Sequence, residues 1–313
     1  MDVAPAMEFD LMIRALTILL AMTVCATAGA ELQVVIIEGL GGEPRYAERF
    51  SEQVVGIETA VSTMTTSDRV AVFRNGAFTR ETLLGFFDEL GSRMNRDDRL
   101  AVFMIGHGSF DDHQYKFNIA GPDVTDEDLK TVLDAIPATA QLLVNSGSSS
   151  GAVQEKLQGG GRTLMLATRS GVERHATRFG DYLAGALSDS SADVDKNNIV
   201  SAAEAFQFAE RQVADYYERN GQLATEHPRL DGDSDNAARF GLARLGVAKR
   251  STDDTALRRL QTDRDELNSG IDDLRLRRDS MTSDAYQEAL LQNMLELATL
   301  EEQIELREAE LDQ

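Results

Sequence analysis

The sequence predicts an α/β domain built on a mostly parallel sheet with helices on both faces, followed by a C-terminal helical hairpin or coiled coil. Three observations carry this. Five apolar runs, at 32–37, 69–73, 99–106, 141–146 and 162–168, are continuous rather than alternating, as strands buried on both faces are. Segments with helical spacing lie between them, so strand and helix units alternate. From about residue 255 the apolar residues switch to 3–4 spacing among many charges, the pattern of a helix pair.

LQVVII (32–37) is the first strand, and Gly39, Gly41 and Gly42 break it. The G-L-G-G run lacks the G-x-G-x-x-G spacing of a dinucleotide loop, and Pro44 follows it, so it reads as an ordinary turn and no organic cofactor is expected. A helix spans about 45–60. RVAVF (69–73) is the second strand, and Thr79 is placed to cap a helix reaching Leu90. RLAVFMIG (99–106) is the third strand, with an alternating stretch at 113–120 forming a short hairpin beside the sheet. Thr125 and Asp128 form a capping-box variant opening a helix to Ile136. QLLVNS (141–146) is the fourth strand, Ala152–Leu157 a short helix, RTLMLAT (162–168) the fifth strand, and 177–187 a helix.

Past residue 187 the loops become rich in Asp, Asn and Ser, around a helix over 202–220 and an acidic loop at 226–236. In the last segment Leu257, Leu260, Leu267, Ile271 and Leu274 make one seam, with Arg264 at its single polar position. After a break at 280–283, Tyr286, Leu290, Met294, Leu297, Leu300, Ile304 and Leu311 make another. Self-association through these helices and packing back on the core both fit this pattern.

The chain has 313 residues, 42% of them hydrophobic, enough for one sizeable core and an appendage. A formal charge of −22 disfavours nucleic acid and anionic membranes, and is compatible with calcium or basic partners. Residues 1–30 read as a secretory leader: Arg14 supplies a positive start, ALTILLAM an apolar core, and Ala28-Gly29-Ala30 a cleavage site. The run is short for a membrane span, so a periplasmic or secreted protein with no stable span is expected. The only cysteine, Cys25, lies inside the leader, so the mature chain has no thiol, disulfide or zinc-thiolate site. The domain then covers 31–240 and the helical appendage 250–313.

Two strand ends carry the chemistry. The third strand ends in Gly106-His107-Gly108, and the fourth in Asn145-Ser146-Gly147-Ser148-Ser149-Ser150-Gly151, a small-residue turn opening a helix. Outward amides and a helix dipole there favour developing negative charge. In this order, with MIGHGSFDD around His107 and ATRSGVERHATRFGDYL after the fifth strand, the chain resembles the legumain-like and caspase-like cysteine peptidases over about residues 31–239. That resemblance implies a caspase-like fold and peptide-bond hydrolysis. His107 would be the acid or base, and the amides of Gly108 and residue 149 an oxyanion hole. Arg169, Ser170 and Glu173 would line the substrate pocket.

Ser149 falls where the family has its cysteine. A thiol is partly ionised near neutral pH and tolerates a loosely placed His, whereas a hydroxyl needs its base within hydrogen-bonding distance. One reading is therefore a noncatalytic homologue that binds a peptide or protein. A second is an active serine hydrolase, because Gly147-Ser148-Ser149-Ser150-Gly151 satisfies G-x-S-x-G, with His107, His175 or His227 as base. A third, an engineered serine in a working cysteine peptidase, is opposed by the intact leader. The histidines show no zinc spacing.

A separate loop follows the calcium pattern of an EF-hand. Asp193, Asp195 and Asn197 occupy positions 1, 3 and 5, the Ile199 carbonyl position 7, Ser201 position 9, and Glu204 position 12. Asn198 replaces the usual glycine at position 6 and tolerates a left-handed backbone. A structural calcium ion is expected. Ser201 to Glu204 also reads as a plain capping box opening the next helix.

Overall fold

The structure is a computed structural model, which describes residues 30–159, 161–232, 234–246, 254–276, 278 and 281–311. The leader lies outside the described residues, apart from Ala30, as do residues 247–253 before the appendage and 279–280 in its break. No helix among the described residues is long and apolar enough to cross a membrane.

The element order is β1 (Leu32–Glu38), α1 (Pro44–Val61), β2 (Val70–Phe73), α2 (Arg80–Arg93), β3 (Arg99–Ile105), β4 (Gly108–Phe110), β5 (Tyr115–Phe117), β6 (Val124–Thr125), α3 (Asp126–Ala135), β7 (Ala140–Asn145), α4 (Gln154–Leu157), β8 (Arg162–Leu166), α5 (Phe179–Ala186), β9 (Ile199–Ser201), α6 (Ala202–Arg219), β10 (Arg229–Asp231), α7 (Ser234–Arg239), β11 (Gly241–Arg244), α8 (Thr255–Leu276) and α9 (Ser283–Leu311). The main sheet has the order β10-β8-β7-β3-β1-β2. Its five inner and leading strands run parallel, and β10 closes one edge antiparallel. The five apolar runs are these parallel strands.

Both faces of the sheet are covered, which is why the runs are continuous rather than alternating. On one face Val34 and Ile36 of β1, Phe103 and Ile105 of β3, and Leu142 and Val144 of β7 pack under α1, α5 and α6. On the other, Val35, Ile37, Met104 and Leu143 pack under α2 and α3 and the small sheet β4-β5-β6. That small sheet stands where the sequence suggests only a hairpin. Its third strand is two residues long, too short to leave a pattern.

Thr79, Thr125 and Ser201 each cap a helix in a reciprocal capping box, which fixes the starts of α2, α3 and α6. The helix expected from Ala152 starts as a 3-10 turn over Ser150–Val153 and becomes a single α turn afterwards. Ser149 has φ +57°, so the chain enters that turn from the left-handed region. In the appendage α8 and α9 pack on each other, Leu257, Ile271, Leu274 and Ile304 are buried, and Arg307 pairs with Asp254 at 2.8 Å across the pair. Met294, assigned to the seam by spacing, is largely exposed.

Candidate active site

β3 and β7 are neighbours in register, Met104 beside Asn145, so the two motif-bearing strand ends emerge side by side. Their backbones touch. A Cβ built on Gly147 would lie 3.1 Å from the Gly106 oxygen and 3.2 Å from the Gly108 nitrogen. One built on Gly108 would lie 2.2 Å from the Tyr115 hydroxyl and 2.5 Å from the Ser148 oxygen. Only glycine fits at 108. The glycines of the G-L-G-G turn close the same corner: the Gly39 amide donates to Ile105 and the Leu40 amide to Asn118.

His107 continues the alternation of β3 onto the α1 face. Its ring meets the edges of Tyr46 at 4.7 Å and Phe50 at 5.0 Å, between ring centroids. Burial against these rings lowers its pKa from the ordinary value, with the Arg49 charge acting the same way; the Gly41 carbonyl and Glu43 oppose both. The imidazole is therefore held in its neutral form at neutral pH, as a general base must be.

The same alternation places residues on β7. Leu142 and Val144 face α1, so Ser146, next after the strand, falls on the histidine's side, whereas Asn145 faces the other way. Ser146 abuts Gly180 of α5, donates to the Met104 carbonyl at 3.1 Å, and accepts from Thr177. Asn145 pairs with Tyr115, and its Oδ1 accepts the Gly147 amide at 3.0 Å. Full burial pushes the Tyr115 phenol well above its ordinary pKa, so it stays a neutral partner.

Ser149 departs from the role that the resemblance gives it. It is 0% exposed, and its hydroxyl has no hydrogen-bond partner among the described residues. Its amide, assigned to the oxyanion hole, donates instead to the Glu173 carbonyl at 2.8 Å. That donor is closed, and the two-amide hole is not formed. Ser150 is bonded to Thr168. Of the three consecutive serines only Ser148 keeps a share of surface, at 5%.

The expected pocket residues divide. Arg169 is exposed, and its carbonyl accepts from Arg229. The Ser170 carbonyl accepts from the Thr168 hydroxyl. Glu173 is turned inward, where its carboxylate accepts the Arg169 amide at 2.9 Å, the His227 amide at 3.1 Å and approaches His227 Nδ1 at 2.7 Å. It ties its loop to His227 rather than lining an open pocket. His107 and Ser149 are brought to one corner but share no hydrogen bond.

In the 193–204 loop three of the expected ligands, Asp193, Asp195 and Glu204, are drawn together. Lys196 and Asn198 adopt φ +60° and +62°, the left-handed turns that curl the chain around its acidic residues. Ligand atoms of Asp193, Asp195 and Glu204 lie within 4.8 Å of one another. Asp193 accepts the amides of Asn197 and Asn198, and the Asn197 side chain accepts the Ile199 amide. One oxygen of Glu204 serves the capping box with Ser201, while the other accepts the Val194 amide at 2.9 Å. Burial, with Glu204 and Asp193 nearby, raises the Asp195 pKa. Three converging carboxylates fit a hard divalent cation, whose charge would offset their repulsion.

No protein-family model matches the chain, and no curated protein matches it in sequence. In structure it is similar to a structural-genomics target protein from Geobacter sulfurreducens, known from its crystal structure. The TM-score is 0.47 at 10% identity, over 69% of this chain and 99% of that one.

Proposed function

We propose that this chain is a noncatalytic relative of the legumain-like and caspase-like peptidases, a periplasmic or secreted protein that binds a peptide or protein partner at the corner between β3 and β7. The observation that carries this reading is the state of Ser149: a hydroxyl sealed from solvent, without a partner, and with its amide committed to Glu173. A hydroxyl without a base at hydrogen-bonding distance is a poor nucleophile. A thiol in the same sealed space would lose little, since free cysteine behaves as a small hydrophobe. The site is thus better suited to sulfur than to the oxygen it holds.

The alternative is an active Ser-His hydrolase. One observation favours it: Glu173 holds Nδ1 of His227 at 2.7 Å, and the chain order Ser, Glu, His is that of an α/β-hydrolase triad. Against it, neither His107 nor His227 bonds a serine hydroxyl among the described residues. Assay against a fluorogenic peptide library separates the two. No turnover by the wild-type chain supports the binding reading, and turnover lost in Ser148→Ala or Ser149→Ala overturns it.

The proposal includes a structural calcium ion in the 193–204 loop. Asp193, Asp195, Asn197, Ser201, Glu204 and the Ile199 carbonyl would hold it, and it would tie the start of α6 to the chain before it. The convergence of Asp193, Asp195 and Glu204 supports this reading.

A further inference from the structure

The outer helix of the appendage has two apolar faces, and only one is used. On the first, Leu297 and Leu300 are half-buried and Ile304 is buried, and α9 packs along α8. The second runs along Leu291, Leu295 and Ala298 at heptad spacing and resumes at Leu306. On that face Leu291 is 62% exposed, Leu295 57% and Leu306 61%. A helix with apolar residues on opposite sides is expected to be covered on both. Nothing within this chain covers the second side among the described residues.

Charge says what could. Between Ser283 and Leu311, α9 carries eight acidic residues and one arginine. The second seam itself is continued by acids: Asp284 and Glu288 precede Leu291, and Glu302 follows Ala298, each three or four residues from its neighbour. A second copy laid on this face would bring the same acids against themselves, inside a chain that already carries −22. A helix with leucines at the facing positions and lysine or arginine beside them would meet both the apolar residues and the charge.

We infer that the Leu291–Leu295–Leu306 face of α9 is a docking surface for a basic amphipathic helix of another protein, giving the helical pair the role of a recruitment arm. This surface is separate from the corner at His107, so it stands or falls apart from the peptidase-like reading.

The probes are two synthetic heptad peptides, identical in leucines, one with lysine and one with glutamate at the flanking positions. Binding to the full chain is followed by fluorescence anisotropy. The lysine peptide is expected to bind and to weaken with salt, and the glutamate peptide is not. L291S/L295S is expected to weaken the lysine peptide about tenfold or more, because it removes the central apolar anchors. Circular dichroism should show α9 intact in that variant, since both residues are exposed. Equal binding of wild type and variant would mean attraction to the acidic surface at large and would overturn the inference. So would a failure of the lysine peptide to bind. A dimeric mass for the full chain that L291S/L295S returns to monomer would replace the basic helix by a second copy and also overturn it.

Discussion

Two polar turns in this protein each stand before a helix, and they dispose of their hydrogen-bonding groups in opposite ways. In the 145–151 turn, Asn145 is used by Tyr115, Ser146 by Met104 and Thr177, Ser150 by Thr168, and the Ser149 amide by Glu173. The Ser149 hydroxyl is left over, and it is sealed. In the 193–204 loop the amides are also satisfied, but by carboxylates that converge, so negative charge is left over instead. Motifs of similar length thus differ in what remains after the backbone is served. A sealed neutral oxygen offers little to a substrate, whereas gathered carboxylates attract a cation.

The largest expected effect tests how tightly the first turn is closed. Gly108→Ala would push a methyl group into the Tyr115 hydroxyl and the Ser148 carbonyl, at 2.2 and 2.5 Å. Overpacking against backbone should cost about 3 kcal/mol. A drop of several degrees in melting temperature is the expected reading, and an unchanged value would mean that the corner is loose enough to admit substrate.

Next in size is calcium. At about one hundred times its dissociation constant, a cation that binds only the folded chain adds about 2.7 kcal/mol. Calcium should raise the melting temperature of the wild type and leave Glu204→Gln unmoved. Because the folded pKa of Asp195 is raised, its ionised form is disfavoured without a cation. Its contribution to stability is therefore lost as pH rises through that pKa, and calcium should stabilise most above it. A melting temperature indifferent to calcium and to chelator would make the loop a capping box alone.

The third effect is smaller and has the opposite sign at adjacent residues. Ser149→Ala removes a buried hydroxyl without a partner and should stabilise by up to about 1 kcal/mol. Ser150→Ala breaks the bond to Thr168 and should destabilise by about 1 kcal/mol. Equal losses at both positions would mean that Ser149 has a partner in solution.

The smallest is the titration of His107. Burial depresses its folded pKa, so its protonation opposes folding. The associated stability is present above the ordinary value near 6.5 and lost as pH falls below it. An NMR titration should find its midpoint below 6.5, and a midpoint above that would place an unseen carboxylate beside the ring.

Much of the fold was legible because it is written in apolar continuity. Every parallel strand came from a run such as LQVVII or RLAVFMI, and three helix starts came from Thr or Ser at the cap. That the two motif-bearing strand ends emerge side by side was legible too, since β3 and β7 are neighbouring parallel strands. What could not be read was the frame within Gly147-Ser148-Ser149-Ser150-Gly151. Side-chain direction there depends on one left-handed residue, Ser149, and on partners such as Thr168 and Glu173 that are distant in sequence. The second face of α9 was passed over for another reason: the seam at 286–311 follows one 3–4 spacing, and Leu291, Leu295 and Leu306 lie off it.

The central claim is that the corner between His107 and the serine turn does no covalent chemistry. Incubation with a fluorophosphonate probe, followed by mass spectrometry of the peptide carrying residues 146–153, tests it most directly. No adduct on Ser148 or Ser149 is predicted, with or without His107→Ala. A stoichiometric adduct on either serine that disappears in His107→Ala or His227→Ala would contradict the claim and make the protein a serine hydrolase.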